Sequence, residues 1–410
     1  MTMLSSSTPQ SISLLGATGS IGASTLDLIR LHLDKYRLFA VSGFSNLQKL
    51  LDICQEFTPE FAVIGDEYFD EFYHKINALN LPTQVLKTSE GLDFVASHQT
   101  VDTVVCAIVG GAGLSSTLSA VQSGKKVLLA NKEALVMAGD LVIKTAKETG
   151  AVILPIDSEH NAIFQCLPQA VQGDNALINN KNFGIRKLWL TASGGAFLHK
   201  SYDEMRTASV AQAVNHPNWS MGAKITVDSN TMMNKGLELI EACHLFGVGV
   251  EQVAVAIHPQ SVVHSLVEYV DGSFLAQCGT PDMKTPIGYA LAYPNRVESG
   301  VKPLNLFEMA KLEFIKPDEQ KFACLALAKK AMALGNGACI ILNGANEVAV
   351  DAFLKGKIKL TDIASIVENC LNVDEVANEL AKSFDNLADI LELDKRVRKI
   401  AKIIVEKLDN

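Results

Sequence analysis

Aromatic residues make up only 6% of this 410-residue chain, and tryptophan occurs twice. That scarcity argues against an all-β sandwich, whereas plentiful Ala, Val, Leu and Ile suit buried parallel strands and helices. The cysteines (Cys54, Cys106, Cys166, Cys243, Cys278, Cys324, Cys339, Cys370) are scattered with no CxxC pair. That excludes a zinc knuckle or a disulfide framework and leaves small, reduced, buried hydrophobes. Basic charge is also short: 36 Lys and Arg face 45 Asp and Glu, for a net charge of −9. A non-specific nucleic-acid binder needs the opposite balance, though a local basic pocket for a small phosphate is compatible with it. No apolar run approaches the roughly 18 residues of a membrane span. The opening MTMLSSSTPQ lacks a basic n-region and an apolar h-region. We therefore expect a soluble, cytoplasmic protein with neither nucleic-acid nor membrane partners.

What is present is length and order. With 48% hydrophobic residues, the chain can bury two or three domain cores. SISLLG (11–16), LFAVSG (38–43), FAVIG (61–65), VDTVVCAIVG (101–110), KKVLLAN (125–131) and AVILPID (151–157) read as strands separated by helical patterns. That alternation predicts βαβ units and a parallel sheet over residues 1–157. KLWLTASGG (187–195), ITVDS (225–229), VAVAIHPQ (253–260), SLVEYVDGS (265–273) and FLAQCG (274–279) suggest a second, mixed α+β domain over 158–290. Asp271-Gly272 is its hairpin turn. Prolines mark a linker over 291–317, and 318–410 is helical throughout.

Gly16-Ala17-Thr18-Gly19-Ser20-Ile21-Gly22 lies between the first strand and first helix. Glycine lets a phosphate lie on the backbone amides, and the helix N-terminus adds partial positive charge. The spacing is that of a Rossmann variant. An NAD site usually ends its second strand with a carboxylate for the ribose 2′-hydroxyl. Here Val41-Ser42-Gly43-Phe44-Ser45-Asn46 has none. Ser42, Ser45 and Asn46 could accept a 2′-phosphate, which favours NADPH.

Pro155-Ile156-Asp157-Ser158-Glu159-His160 follows an apolar strand. On an extended segment Asp157 and Glu159 would face one side and converge on a cation, with Mg²⁺ or Mn²⁺ suited to hard oxygen donors. Alternatively they cap the next helix. Further on, Asp228 or Ser229 would cap a helix presenting Asn234, Lys235 and Glu238 on one face. That face is either a phosphate anchor beside a third metal carboxylate or a solvated surface. Thr191-Ala192-Ser193-Gly194-Gly195 is either an anion nest or a plain tight turn. His216-Pro217-Asn218-Trp219-Ser220-Met221-Gly222 is either a lid or a rigid corner. Asn131-Lys132-Glu133 ends a strand where cofactor and substrate would meet, making Lys132 a candidate polariser. His258 and His264 read as core histidines rather than metal ligands.

Together GATGSIG, LLANKEALV (128–136), LPIDSEHNAIFQ (154–165), TASGGAF (191–197), NHPNWSMGAKITVDSNTMMNKGLELIEA (215–242) and HPQSVVHSLV (258–267) occur in order. They resemble the signature blocks of the 1-deoxy-D-xylulose-5-phosphate reductoisomerase family across essentially the whole chain. The resemblance implies an N-terminal Rossmann-like NADPH domain, a central α+β catalytic and dimerising domain, and a C-terminal α-helical bundle. It implies a homodimer acting on a small phosphorylated sugar. It further implies metal ligation by Asp157, Glu159 and Glu238, and substrate oxygens held by Lys132 and Ser158. Ser193, Ser229, Asn234 and Lys235 become phosphate anchors, and His216, Trp219 and Met221 part of a lid. Thr18, Gly19, Ser20, Ile21, Ser45, Asn46, Asn131, Glu133, Gly222 and Met283 fall to the cofactor. The chain departs from many members at Ser45, where they carry Lys or Arg, and at Ala196, where they carry Pro. A semialdehyde dehydrogenase, the competing enzyme reading, needs an activated cysteine, yet Cys166 and Cys243 sit on apolar helical patterns.

Overall fold

The computed structural model describes residues 8–215, 222–309 and 311–409. They form two compact units. One draws on Met1–Asn131, Lys144–Asp157 and Asp282–Lys302, the other on Lys132–Ile143, Ser158–Pro281 and Pro303–Asn410. The units therefore do not follow the linear division at 157, 290 and 317. Residues 282–302 return to the first unit, and 132–143 belong to the second.

The first unit carries seven strands: β1 (Gln10–Leu15), β2 (Tyr36–Ser42), β3 (Phe61–Ile64), β4 (Gln84–Lys87), β5 (Thr103–Cys106), β6 (Lys126–Leu129) and β7 (Val152–Pro155). They make one parallel sheet in the order β4-β3-β2-β1-β5-β6-β7. Apolar runs rather than alternation build it, because helices cover both faces; Ser11 to Leu15 of β1 are all buried. Strand order reverses around β1, which lies between β2 and β5. A crevice at the carboxyl end of such a strand is where ligands collect. The helix Ser20–Leu31 starts there and buries Thr25, Leu26, Leu28 and Ile29. From the returning segment, helix Lys284–Ala292 packs on it, with Gly288 against Leu28. Lys126 Nζ donates to the Leu291 carbonyl at 2.7 Å.

The second unit has β8 (Ile185–Ala192), β9 (Val253–Ile257), β10 (Val263–Tyr269) and β11 (Phe274–Cys278), ordered β11-β10-β8-β9. β8 and β9 run parallel, and β10 is antiparallel to both β8 and β11. The β10–β11 turn is at Asp271-Gly272, where Gly272 takes φ +87° and Asp271 accepts from the Ser273 amide at 2.9 Å. Helix Asn336–Leu354 is the centre of the C-terminal bundle, packed by Asp362–Leu371 and Leu387–Asp409. Contrary to the reading that no apolar segment is long enough, this helix meets the length and composition of a membrane span. It is a core helix: 83% of its most apolar window is buried inside the protein.

Two local expectations are corrected. ITVDS, read as a strand, lies within helix Ala223–Thr231. Its β-branched residues favour strand by no more than about 1 kcal/mol. The Gly222 carbonyl accepts from both the amide and the hydroxyl of Thr226, and the face bearing Thr226, Val227, Asn230 and Thr231 is buried. Asp228 and Ser229 are thus inside this helix and do not cap the next one. Helix Met233–Phe246 starts instead from Met232 in the left-handed region, φ 58°. Asp157 and Glu159 do not share an extended segment either, because helix Ser158–Cys166 begins between them.

Candidate active site

Helix Met233–Phe246 is buried along nearly its whole length, so any charge on it needs a partner. Asn234, Lys235 and Glu238 share one face, as their spacing predicts. Lys235 Nζ donates to Glu159 Oε1 at 2.7 Å and also contacts the Glu238 carboxylate. Glu238 Oε1 further accepts from Lys132 Nζ at 3.1 Å and from the Asn234 side-chain amide. Lys132 Nζ reaches Asn234 Oδ1 at 2.9 Å, and the Ser158 hydroxyl meets the other Glu159 oxygen. The second unit thus gathers Lys132, Ser158, Glu159, Asn234, Lys235 and Glu238 into one network. Asp157, which ends the Lys144–Asp157 segment of the first unit, precedes Ser158 directly in the chain.

Burial works against the Lys235 ammonium, but the Glu159 and Glu238 carboxylates outweigh it and hold its pKa above the ordinary value. Two carboxylates sharing one cation fit a divalent-metal site of oxygen donors. Lys132, read from the sequence as a candidate polariser, is buried.

Ser193 opens the turn after β8, where Gly194 and Gly195 take φ +85° and +66°. The Gly195 amide points to Ser193 Oγ at 3.3 Å, and the Ala196 amide donates to Asn230 Oδ1 at 2.7 Å. These two amides are committed internally, so the turn does not offer a full backbone nest. Asn230 also donates to the Ala213 carbonyl at 2.7 Å, and a Cβ on Gly195 would stand 2.5 Å from its Oδ1. Sequence reasoning passed over Asn230; its place in the block around Asn234 was the only signal. Ser229 is half-buried in the last turn of its helix, and Gly222 is exposed at that helix's start.

A second missed residue is Lys224. It pairs with Glu133 at 2.8 Å and Asp228 at 2.9 Å, and Asp228 accepts from Asn346 at 2.9 Å. Burial raises the Asp228 pKa despite Lys224. Glu133, also opposed by burial, is held below the ordinary carboxylate range by Lys224.

In the first unit, Thr18 and Gly19 lie in the turn after β1, and Ser20 and Ile21 open helix Ser20–Leu31. Gly16 takes φ +87°, and its Cβ would meet the Ala107 carbonyl oxygen at 2.6 Å. No side chain caps the helix at Gly19, so its first amides are left without a side-chain partner. Ser42 is buried and accepts from the Gly16 amide at 2.9 Å, which corrects its reading as a surface donor to a 2′-phosphate. Ser45 and Asn46 are exposed, and Asn46 caps helix Leu47–Phe57. Asn131 donates to the Gly110 carbonyl at 2.8 Å and steadies the loop after β5. Met283 immediately precedes helix Lys284–Ala292 and belongs to this unit.

His216, Trp219 and Met221 lie outside the described residues. His258 and His264 are buried, with His258 Nδ1 on the Glu313 carbonyl at 2.8 Å and its ring stacked on Phe314. They are core histidines. Burial pushes the thiols of Cys166 and Cys243 up to about 11 and about 12, which removes the activated cysteine a semialdehyde dehydrogenase requires.

Family models match most of the chain. Residues 12–139 match 1-deoxy-D-xylulose 5-phosphate reductoisomerase, 153–246 its C-terminal domain, and 278–400 the DXP reductoisomerase C-terminal domain. The reductoisomerase of Psychrobacter sp. (strain PRwf-1) is 54% identical over 97% of this chain and 98% of its own length. The chain belongs to the 1-deoxy-D-xylulose 5-phosphate reductoisomerase family. Solved family structures agree. A DOX-P reductoisomerase crystallised with NADPH, fosmidomycin and magnesium is 60% identical with a TM-score of 0.96, covering 97% of this chain and 99% of its own. The Zymomonas mobilis reductoisomerase with NADPH is 40% identical with a TM-score of 0.86, over 98% and 99% of the two chains.

Proposed function

We propose that this chain rearranges and reduces 1-deoxy-D-xylulose 5-phosphate to 2-C-methyl-D-erythritol 4-phosphate, with NADPH and Mg²⁺ or Mn²⁺, in the non-mevalonate supply of isoprenoid precursors. The observation that carries this reading is the convergence of Glu159, Glu238, Lys235 and Lys132 in a chain matched end to end by the family. Asp157, Glu159 and Glu238 hold the dication. When bound, it supplies Lewis-acid stabilisation of the charge that develops as the substrate's carbon–carbon bond breaks. Lys132 and Ser158 orient substrate oxygens, while Ser193, Ser229, Asn234 and Lys235 anchor the phosphate, whose binding energy fixes the reacting end. His216, Trp219 and Met221 serve as a lid that excludes water.

Thr18, Gly19, Ser20 and Ile21 hold the cofactor pyrophosphate. Ser45, Asn46, Asn131, Glu133, Gly222 and Met283 complete the NADPH contacts. In domain terms, the first unit binds cofactor and the second is catalytic and dimerising, its residues 318–410 forming the helical part. The open edge strand β11, with Phe274 and Leu275 exposed, supports a homodimer. We expect the protein to be soluble and cytoplasmic.

The test is NADPH oxidation on adding 1-deoxy-D-xylulose 5-phosphate, with the metal present and then chelated. Glu238→Gln should keep NADPH binding and lose most turnover. Wild-type activity in that variant at limiting Mg²⁺ would remove Glu238 from the metal site.

A further inference from the structure

We infer that Lys49 is the residue by which this chain distinguishes NADPH from NADH. The inference rests on the reading that the first unit binds NADPH.

From Ser42 to Leu47 the chain has no charged side chain. Ser42 is turned inward to the Gly16 amide, and the Asn46 side chain accepts from the Lys49 amide at 3.1 Å. The neutral groups expected to receive a 2′-phosphate are therefore partly committed to the backbone. One turn further on, Lys49 folds back toward β1, and its Nζ donates to the Thr18 carbonyl at 2.9 Å. Thr18 is in the glycine-rich turn itself. Gly43, at the end of β2, lies so close that a Cβ there would stand 3.0 Å from Thr18 Cγ2.

The end of β2, the glycine-rich turn and the Lys49 ammonium thus form one continuous surface within the first unit. An ammonium has three donors, and the Thr18 carbonyl occupies one. Among the described residues Lys49 is in no ion pair with a carboxylate, although its helix neighbour Gln48 bonds Asp52. A fixed, half-buried cation here favours the ligand that carries an extra phosphate. A carboxylate after β2, as in NAD sites, would repel that ligand.

The test measures Kd and KM for NADPH and NADH on the full chain, comparing wild type with Lys49→Met and Lys49→Arg. One lost charge-assisted contact should weaken NADPH about 10- to 100-fold. The NADH constants should stay within about twofold, since the two cofactors differ only at the 2′-phosphate. Lys49→Arg should keep most of the preference, and added salt should weaken NADPH more in wild type than in Lys49→Met. Equal weakening of both cofactors in Lys49→Met would reduce Lys49 to a prop for the Thr18 carbonyl and overturn the inference. So would a wild-type preference for NADPH that survives the substitution. A wild type that binds NADPH no better than NADH would overturn the cofactor reading itself, and the inference with it.

Discussion

Replacing Gly22 with alanine perturbs the cofactor turn in a way the structure makes calculable. A Cβ at this position would lie 2.4, 2.5 and 2.6 Å from the oxygen, carbonyl carbon and Cα of Ala17. All three are backbone atoms held by β1 and β2, since the Ala17 amide donates to the Ser42 carbonyl at 2.8 Å. Relief requires the start of helix Ser20–Leu31 to move by about 1 Å, since carbon atoms settle near 3.5 Å. Overpacking of this kind costs about 1–3 kcal/mol. Contact with three rigid atoms puts Gly22→Ala at the upper end of that range.

Alanine's better helix propensity returns about 1 kcal/mol. The net loss is about 2 kcal/mol, or about 4–8 °C in the melting of a unit this size. The same displacement pulls the helix's first amides away from the pyrophosphate, and losing one or two such contacts weakens NADPH about 10- to 100-fold or more. Thermal unfolding and fluorescence titration with NADPH measure the two effects. Gly173→Ala is the control, because a Cβ there meets nothing within 4 Å. An unchanged melting temperature and an NADPH Kd within twofold of wild type would refute the packing argument.

Lys224→Met leaves Glu133 and Asp228 buried without their shared cation and should destabilise the second unit by about 3–5 kcal/mol. Lys224→Arg should recover part of this in urea denaturation, and a loss under 1 kcal/mol would show the trio is not a unit. Burial lowers the His264 pKa from 6.5 to about 4. Its folded-state value is below the unfolded one, so its stabilisation is complete above pH 6.5 and is lost as pH falls toward 4. The loss is up to about 3 kcal/mol. His264→Gln should flatten that stretch of the stability–pH curve, and an unaltered slope would mean His264 is not its source.

The parallel sheet was legible because buried strands write themselves as apolar runs. β4 escaped because Gln84–Lys87 is a short edge strand with two apolar residues. ITVDS misled because propensity is weak beside burial, and the helix face is set by partners remote in sequence. The Glu238 face of its helix could be read from i, i+3 and i+4 spacing. The pairing of Lys235 with Glu159 and of Glu238 with Lys132 could not, since those partners lie 76 and 106 residues away along the chain. Lys224 and Asn230 were passed over for the same reason: the i, i+4 spacing to Asp228 and the place in the block around Asn234 were weak local marks, while the contacts of Lys224 with Glu133 and of Asn230 with Ala196 and Ala213 join distant segments. The return of residues 282–302 to the first unit likewise left only prolines as a trace.

Helix Asn336–Leu354 carries a consequence for how the protein is made. Its nineteen residues leave the ribosome before Leu387–Asp409, the helix that later shields them. For that interval the nascent chain displays a segment greasy enough to engage a hydrophobic-segment receptor or a neighbouring polypeptide. Docking of Asp362–Leu371 and Leu387–Asp409 against it is what covers that apolar surface.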